Sequence, residues 1–218
     1  MPYTLSPSTL SLFKDCPRCF WLAFNKGIKR PAGIFPSLPS GMDGLLKKHF
    51  DTFMEKGQLP PELKDIQAKL FSDKELLKKW RNNLQGIQWT DEQGNRIRGA
   101  IDNLLEKDGK LIILDYKTRG YPLKDDTASY YQDQLDIYNL LFRKNGYETE
   151  DYAILLFYHP THINEKGEVI FHTDLIRMHI NVKNAETIIQ NALHTLKASE
   201  PKGECAYCAW AKNSLTHY

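Results

Sequence analysis

Two apolar runs joined by a tight turn constrain the fold of this chain more than any other feature. The first run contains Asp102, and the second covers residues 111–114 and leads directly into Asp115 and Lys117. The Asp108-Gly109 step between them is a strong signal for a β-hairpin. Pairing the two runs would bring Asp102 close to Asp115. On a strand, residues 115 and 117 point to the same side.

The convergence of two carboxylates and one amine is typical of a divalent-metal hydrolase site. The carboxylates hold a hard cation that keeps some of its waters, and the ammonium group orients or polarises the attacking water. An Asp-x-Lys at a strand end is, taken alone, more often a solvated ion pair that contributes little. The apolar run 111–114 favours the catalytic interpretation. It is typical of a buried central strand, at whose edge an uncompensated charge is costly.

Periodicity and turn residues predict an α/β fold with a central mixed sheet flanked by helices. Ser6 and Pro7 are typical of a helix start, and residues 29–40 are rich in proline and glycine and predict an extended loop. Ser40 is expected to cap a helix that runs to about residue 56. Further helices are predicted over residues 61–70, 73–82, 127–145 and 184–197. Strands are predicted over residues 86–90, 95–106, 110–117, 152–158 and 169–180.

The composition is that of a chain with one sizeable core. Of its 218 residues 41% are hydrophobic and 26% are charged, which argues against disorder. The net charge of +2 does not by itself indicate nucleic acid, so DNA would need a local basic patch. Its candidates are Lys47, Lys48, Lys117, Arg119 and Lys124. Neither a membrane span nor a signal peptide is recognisable, and we expect a cytoplasmic protein.

All four cysteines fall into two Cys-x-x-Cys pairs, Cys16 with Cys19 and Cys205 with Cys208. Disulfides are disfavoured in the cytoplasm, so two such pairs are typical of a four-thiolate metal site. A shared metal centre would join the two ends of the chain and stabilise the fold. Zn2+ and a 4Fe–4S cluster both accept four thiolates, and the spacing leaves both open.

Four blocks of the sequence together resemble the RecB-like branch of the PD-(D/E)XK nuclease superfamily, in the order found there. They are residues 41–49, which end in a histidine; Gly99-x-x-Asp102; Asp115-x-Lys117; and Gln134-x-x-x-Tyr138. The resemblance extends from about residue 6 to Cys208 and is nearest to stand-alone CRISPR-associated exonucleases. It implies a restriction-endonuclease-like core.

The resemblance also implies roles for individual residues. The ligands of Mg2+ or Mn2+ would be His49, Asp102, Asp115 and the backbone carbonyl of Tyr116. Lys117 would position the attacking water, and Gln134 and Tyr138 would orient the substrate phosphate or brace the lysine. Tyr130 and Tyr131, one turn earlier, are candidates for stacking on bases. His159 and His162 are expected in a loop after a strand, and we assign them no role.

The implied metal centre at the cysteines departs from the family pattern at one position. The resembled nucleases bind an iron–sulfur cluster through one N-terminal cysteine and a C-terminal Cys-x2-Cys-x5-Cys group. Cys16, Cys205 and Cys208 match three of these positions, and the fourth falls on Ser214. We expect Cys19 to replace the missing thiolate around a 4Fe–4S cluster, with Zn2+ as the alternative.

We expect one nuclease domain over residues 1–218, with a catalytic core over about residues 40–182 and cysteine segments at 1–30 and 183–218. The predicted activity is that of a metal-dependent deoxyribonuclease, an exonuclease on single-stranded DNA or DNA ends in repair, recombination or CRISPR adaptation. A helicase or a CRISPR integrase is its expected partner. Two alternatives stay open. One is a nuclease-fold module that binds DNA or a partner without cleaving, and the other is a restriction-type endonuclease.

Overall fold

The computed structural model describes residues 2–203 and 205–215, and within these the side chains up to residue 211. The helices are α1 (Pro7–Asp15), α2 (Pro17–Asn25), α3 (Ser37–Glu55), α4 (Lys74–Arg81), α5 (Gln132–Lys144), α6 (Val182–Lys197) and α7 (Ala206–Leu215). The strands are β1 (Thr4–Leu5), β2 (Lys69–Leu70), β3 (Ile87–Thr90), β4 (Arg96–Gly99), β5 (Asn103–Lys107), β6 (Lys110–Thr118), β7 (Tyr152–Ile163) and β8 (Val169–His179). The predicted α/β fold is confirmed.

The strands form a five-stranded sheet in the order β2-β5-β6-β7-β8 and a three-stranded sheet in the order β1-β4-β3. In the larger sheet β6 pairs antiparallel with β5 and parallel with β7, so this sheet is mixed, as predicted. The β5–β6 hairpin turns at Asp108 and Gly109, whose φ angles of 48° and 80° are both positive. Two positive φ angles are typical of the tight hairpin turn that an Asp-Gly step predicts.

Strand β6 is buried on both faces of the larger sheet. One face, which includes Ile113 and Phe157, packs in a cluster with residues of α5 and α6. The other face, which includes Leu114, packs against Phe50 of α3. A strand that is covered on both sides needs a continuous apolar run rather than an alternating one. This explains residues 111–114, and it means that any charge at the end of β6 must be compensated.

Helix α3 and the segment after it differ from the sequence prediction. The helix begins at Ser37 rather than at Ser40, and Pro39 lies in its first turn, where a missing N–H costs no hydrogen bond. The predicted helix over residues 61–70 is wrong. The chain forms a short 3-10 turn at Pro61–Leu63 and then the strand β2, whose pairing with β5 overrides the local helical preference.

The predicted strand over residues 95–106 is two strands in different sheets, β4 and β5, with a break at residues 100–102. The residues after Tyr158, predicted as a loop, continue β7 as far as Ile163 through an irregularity between Pro160 and His162. The long predicted helix at 127–145 begins as a 3-10 helix before α5. No helix within the described ranges is both long and apolar enough to cross a bilayer.

Gly99 allows β4 to approach α5 closely, and this contact predicts a stability effect. A Cβ atom at Gly99 would lie 2.6 Å from Cε1 of Tyr138, so Gly99→Ala should lower the free energy of unfolding by about 1–3 kcal/mol. The matched control is Gly44→Ala in α3, where a Cβ would meet no atom within 4 Å. This change should leave stability unchanged or raise it by up to about 1 kcal/mol. Equal urea unfolding curves for the two variants would contradict the packing argument.

Candidate active site

The break between β4 and β5 places Asp102 beside the end of β6. Its Oδ2 accepts a hydrogen bond of 3.0 Å from the backbone N–H of Tyr116, the neighbour of Asp115 in the chain. Its Oδ1 lies 3.2 Å from Nζ of Lys47, which projects from α3. The carboxylate of Asp102 therefore reaches the same end of β6 as that of Asp115. The sequence pattern did not indicate that Lys47 pairs with Asp102; it named Lys47 only as one of several candidates for a basic patch.

Asp115 and Lys117 form a buried ion pair on one side of β6. The Nζ of Lys117 lies 2.5 Å from Oδ2 of Asp115, whose side chain is only 2% exposed. Burial raises the pKa of Asp115 to about 7; the positive charge of Lys117 opposes this shift and the negative charge of Asp102 reinforces it. Burial alone would lower the pKa of Lys117, but Asp115 outweighs it and the pKa is raised. The lysine is therefore an ammonium ion at neutral pH.

One oxygen of Asp115 has a single close partner. Its buried Oδ2 contacts the Lys117 ammonium at 2.5 Å, and no other described residue donates to it. A carboxylate oxygen has more than one lone pair, so Oδ2 could contact the ammonium and also bind a hard cation. The oxygens of Asp102 and Asp115, at the end of one strand, are donors of the kind that Mg2+ and Mn2+ prefer.

Gln134 of α5 links both members of the ion pair. Its Oε1 accepts a hydrogen bond of 3.3 Å from Lys117, and its Nε2 donates to Oδ1 of Asp115 at 3.2 Å. The same Nε2 lies 2.9 Å from the hydroxyl of Tyr138, which donates to the carbonyl of Ala100 at 2.6 Å. The structure thus brings both predicted α5 residues to the predicted strand residues, and Tyr138 ties them to the strand break.

His49 lies elsewhere on α3. Its Nε2 is 3.1 Å from Oε1 of Glu62, and its ring packs against Phe50 and Phe53. Glu62 also accepts a hydrogen bond of 3.0 Å from the hydroxyl of Tyr158. The structure therefore pairs His49 with a glutamate rather than with the two aspartates, and its role as a ligand of their cation stays a prediction. Glu62 carries no motif, and the sequence offered no signal for it.

The two cysteine pairs meet, as predicted. The Sγ of Cys16 lies 3.8 Å from that of Cys208, and the Sγ of Cys19 lies 3.6 Å from those of both Cys205 and Cys208. The four sulfurs could hold one metal centre, because all lie within 4.8 Å of one another. Cys19 thus completes a four-thiol cluster. The side chain of Ser214, the fourth position of the family pattern, lies outside the described residues.

Within the cluster, Cys205 ionises more readily than Cys19. Burial raises the pKa of Cys19 to about 12. Burial also disfavours ionisation of Cys205, but hydrogen bonds from the Cys208 backbone and the neighbouring thiols outweigh it and lower its pKa to about 6. The Nη2 of Arg30 lies 3.5 Å from the sulfur of Cys205. A guanidinium beside the sulfurs offsets the negative charge that four metal-bound thiolates would carry.

A cavity of about 570 Å3 opens beside the α5 residues of the site. Its size is in the range of ordinary ligand pockets. Its wall includes the start of α1 and the side chain of Tyr130, which is 75% exposed. The polar residues that line it include Ser6, Ser8, Ser11, Asn83, Arg98 and Gln134. Asp133 adds a carboxylate to the wall, and of the predicted catalytic and substrate-binding residues only Gln134 and Tyr138 line the cavity. The exposed ring of Tyr130, Arg98 and the hydroxyls are groups that can contact a nucleic-acid strand.

The sequence profile of the PD-(D/E)XK nuclease superfamily matches residues 4–212. The chain belongs to this superfamily. PD-(D/E)XK nucleases usually use divalent metal ions and bind nucleic acid, which agrees with the paired aspartates. The crystal structure of SSO0001 is similar to this PD-(D/E)XK protein with a TM-score of 0.45 and 15% identity, over 92% of this chain and 79% of that one. The sequence matches no curated protein.

Asp115 is predicted to be a metal ligand, and its raised pKa sets how the affinity for Mn2+ should depend on pH. A metal bound by Asp115 would have to displace a proton from it below about pH 7. The apparent affinity for Mn2+ should therefore be constant above that pH and should fall about tenfold for each pH unit below it. Calorimetric titration across the range measures this directly.

The exposed Asp65 supplies the control for that titration. Asp115→Asn should abolish Mn2+ binding at the site, whereas Asp65→Asn should keep both the affinity and its pH profile. An affinity for Mn2+ that does not change between about pH 5 and about pH 8 would contradict the assignment of Asp115 as a ligand.

Proposed function

We propose that this protein is a Mg2+- or Mn2+-dependent deoxyribonuclease of the RecB-like branch. Its substrate would be single-stranded DNA or a DNA end. The buried pair of Asp115 and Lys117, bridged by Gln134 and facing Asp102, is the observation that carries this proposal. Burying these two charges costs free energy, because each loses its hydration. A catalytic role would account for an arrangement that is unfavourable for stability.

The two aspartates would hold the cation, together with the backbone carbonyl of Tyr116 and, as the resemblance implies, His49. The donor set fits a hard cation, because both side chains offer carboxylate oxygens and Oδ2 of Asp115 contacts only Lys117 among the described residues. When bound, the cation would neutralise charge on the phosphate and make a coordinated water more acidic. When no cation is bound, the ammonium group of Lys47 would offset part of the charge of Asp102.

Lys117 would act as an ammonium ion that orients water and stabilises negative charge on the phosphate. Asp115 keeps it protonated, and Oε1 of Gln134 accepts a hydrogen bond from its ammonium group. Its Nζ also lies 4.7 Å from the centre of the Tyr131 ring, which limits the directions that the ammonium can take. These contacts preorganise the lysine before substrate binds, which is the usual source of a large electrostatic contribution to the rate.

The cavity beside Gln134 supports a single strand as the substrate. A strand in it could stack a base on Tyr130 and place a phosphate near Arg98, and neither contact reads a particular base. These features favour an exonuclease over a restriction-type endonuclease. A role in repair, recombination or CRISPR adaptation with a helicase or integrase partner is part of the proposal by resemblance. A binding module without cleavage is the second candidate.

For the cysteine cluster we propose one structural Zn2+ ion in place of the expected 4Fe–4S cluster. Four sulfurs around one tetrahedral ion with Zn–S bonds of about 2.3 Å lie about 3.8 Å apart. The three close Sγ separations here are 3.6–3.8 Å. In a cubane cluster each thiolate binds a different iron, so the sulfurs stand further apart. Four clustered free thiols also support a reducing, cytoplasmic compartment.

Lys117→Ala should abolish cleavage without unfolding the protein or releasing DNA. The loss of one preorganised charge at the reacting phosphate should reduce the rate about a hundredfold or more. The assay follows end-labelled single-stranded and double-stranded DNA with Mg2+ or Mn2+, next to a binding measurement. Lys78→Ala, which removes an exposed lysine of α4, should cleave like the wild type.

Wild-type turnover by Lys117→Ala would contradict the catalytic role of the lysine. Tight binding of DNA with no cleavage by the wild type, in either metal, would instead support the binding module. The first result would therefore exclude only the role of Lys117, whereas the second would exclude nuclease activity itself.

Cys205→Ser should release the metal of the cluster and lower the thermal stability. A loss of about 2 kcal/mol would lower the Tm by about 4–8 °C in a chain of this size. Ala206→Ser, which adds the same hydroxyl at an exposed neighbour, should have neither effect. Metal analysis of anaerobically purified protein should find stoichiometric zinc. A brown protein that contains iron would contradict the single ion, and an unchanged Tm for Cys205→Ser would contradict the structural role.

A further inference from the structure

Strands β7 and β8 extend beyond the larger sheet as a two-stranded ribbon. The pairing of β6 with β7 ends at Tyr158, whereas the pairing of β7 with β8 continues to Ile163 and Val169. A ribbon of two strands without a third neighbour is only marginally stable. Its first cross-strand pair beyond the sheet consists of two histidines, His159 and His172.

Asp174 lies between the two histidine side chains. Its Oδ2 is 3.2 Å from Nε2 of His159, and its Oδ1 is 3.3 Å from Nε2 of His172. One donor atom from each of the three residues can be chosen so that all lie within 4.8 Å of one another. Two ligands of a tetrahedral ion with bonds of about 2.0–2.1 Å lie about 3.3 Å apart. The two observed separations, which involve the two different oxygens of Asp174, are close to that spacing.

Part of this group is buried, which favours a bound ion. The side chain of His159 is almost fully buried, and Oδ2 of Asp174 is a buried oxygen whose close partner among the described residues is the His159 ring. We propose that His159, His172 and Asp174 bind one divalent transition-metal ion of the Zn2+ class. Two imidazoles and one carboxylate suit such an ion better than Mg2+, which prefers oxygen ligands alone.

This site is separate from that of the two aspartates. Lys117, Phe157 and Asp174 are register partners on three successive strands. The Cα atoms of Asp174 and Lys117 are therefore two strand spacings, or about 10 Å, apart. Paired catalytic metals lie only about 3.5–4 Å apart, so an ion here would not be the second metal of that centre. It would instead join β7 to β8 at the base of the ribbon and keep at least one coordination position for water or an anionic group.

Zn2+ titration of the purified protein tests the site without any measurement of cleavage. Excess Mg2+ competes with Zn2+ for the two aspartates, and competition with a chromophoric chelator counts the Zn2+ equivalents bound. The wild type should bind one equivalent more than His172→Ala, whose removed ring is 58% exposed and whose fold should therefore be intact. His162→Ala is the matched control. It removes an exposed histidine of the same ribbon and should bind like the wild type.

Co2+ distinguishes this site from the cysteine cluster. The equivalent that His172→Ala loses should give the spectrum of a nitrogen and oxygen site, without a thiolate-to-cobalt charge-transfer band. Asp174→Asn, which keeps the shape of the side chain, should lose the same equivalent. Equal Zn2+ uptake by the wild type and His172→Ala would overturn the proposal. A thiolate-to-cobalt charge-transfer band for the Co2+ equivalent that His172→Ala loses would overturn it as well.

Discussion

The buried ion pair of Asp115 and Lys117 is the constraint on which the rest of the structure depends. It stands at the end of β6, a strand covered on both faces, where neither charge can be hydrated as it would be in water. The surroundings compensate for this. Gln134 of α5 contacts both charges, and Asp102 turns toward the same strand end. Oδ2 of Asp115 contacts only the Lys117 ammonium among the described residues, so a further lone pair of this oxygen could bind a cation.

The cysteine cluster is connected to the candidate active site through the packing of helix α1. It joins the start of α2 to α7, and the contact is extended by the ion pair of Arg18 with Glu200 and by a hydrogen bond from Trp21 to Ala198. Helix α1 packs on the cluster through Leu12, and its first turn forms part of the wall of the cavity beside Gln134. A metal that holds the two ends of the chain together would therefore also hold one wall of the proposed substrate path.

The structure offers three groups of donors that differ in chemical character. Carboxylate oxygens at the end of β6 suit a hard cation, four thiols suit Zn2+ or iron, and the histidines and aspartate of the β7–β8 ribbon suit a borderline ion. Because softness and geometry separate these groups, each can be tested with a different metal in the same protein. Each group contains at least one buried residue, namely Asp115, Cys16 and His159 respectively, and a bound ion would compensate the burial of its polar atoms.

The sequence by itself determined the features that depend on neighbours in the chain. Turn chemistry predicted the β5–β6 hairpin, the period of two put residues 115 and 117 on one side of β6, and the two Cys-x-x-Cys pairs predicted a shared cluster. Only the tertiary structure decided the break that aims Asp102 at β6 and the pairing of His49 with Glu62. It also decided the meeting of two histidines with Asp174. These contacts join residues on different elements, and strand pairing, not local periodicity, sets which of them meet.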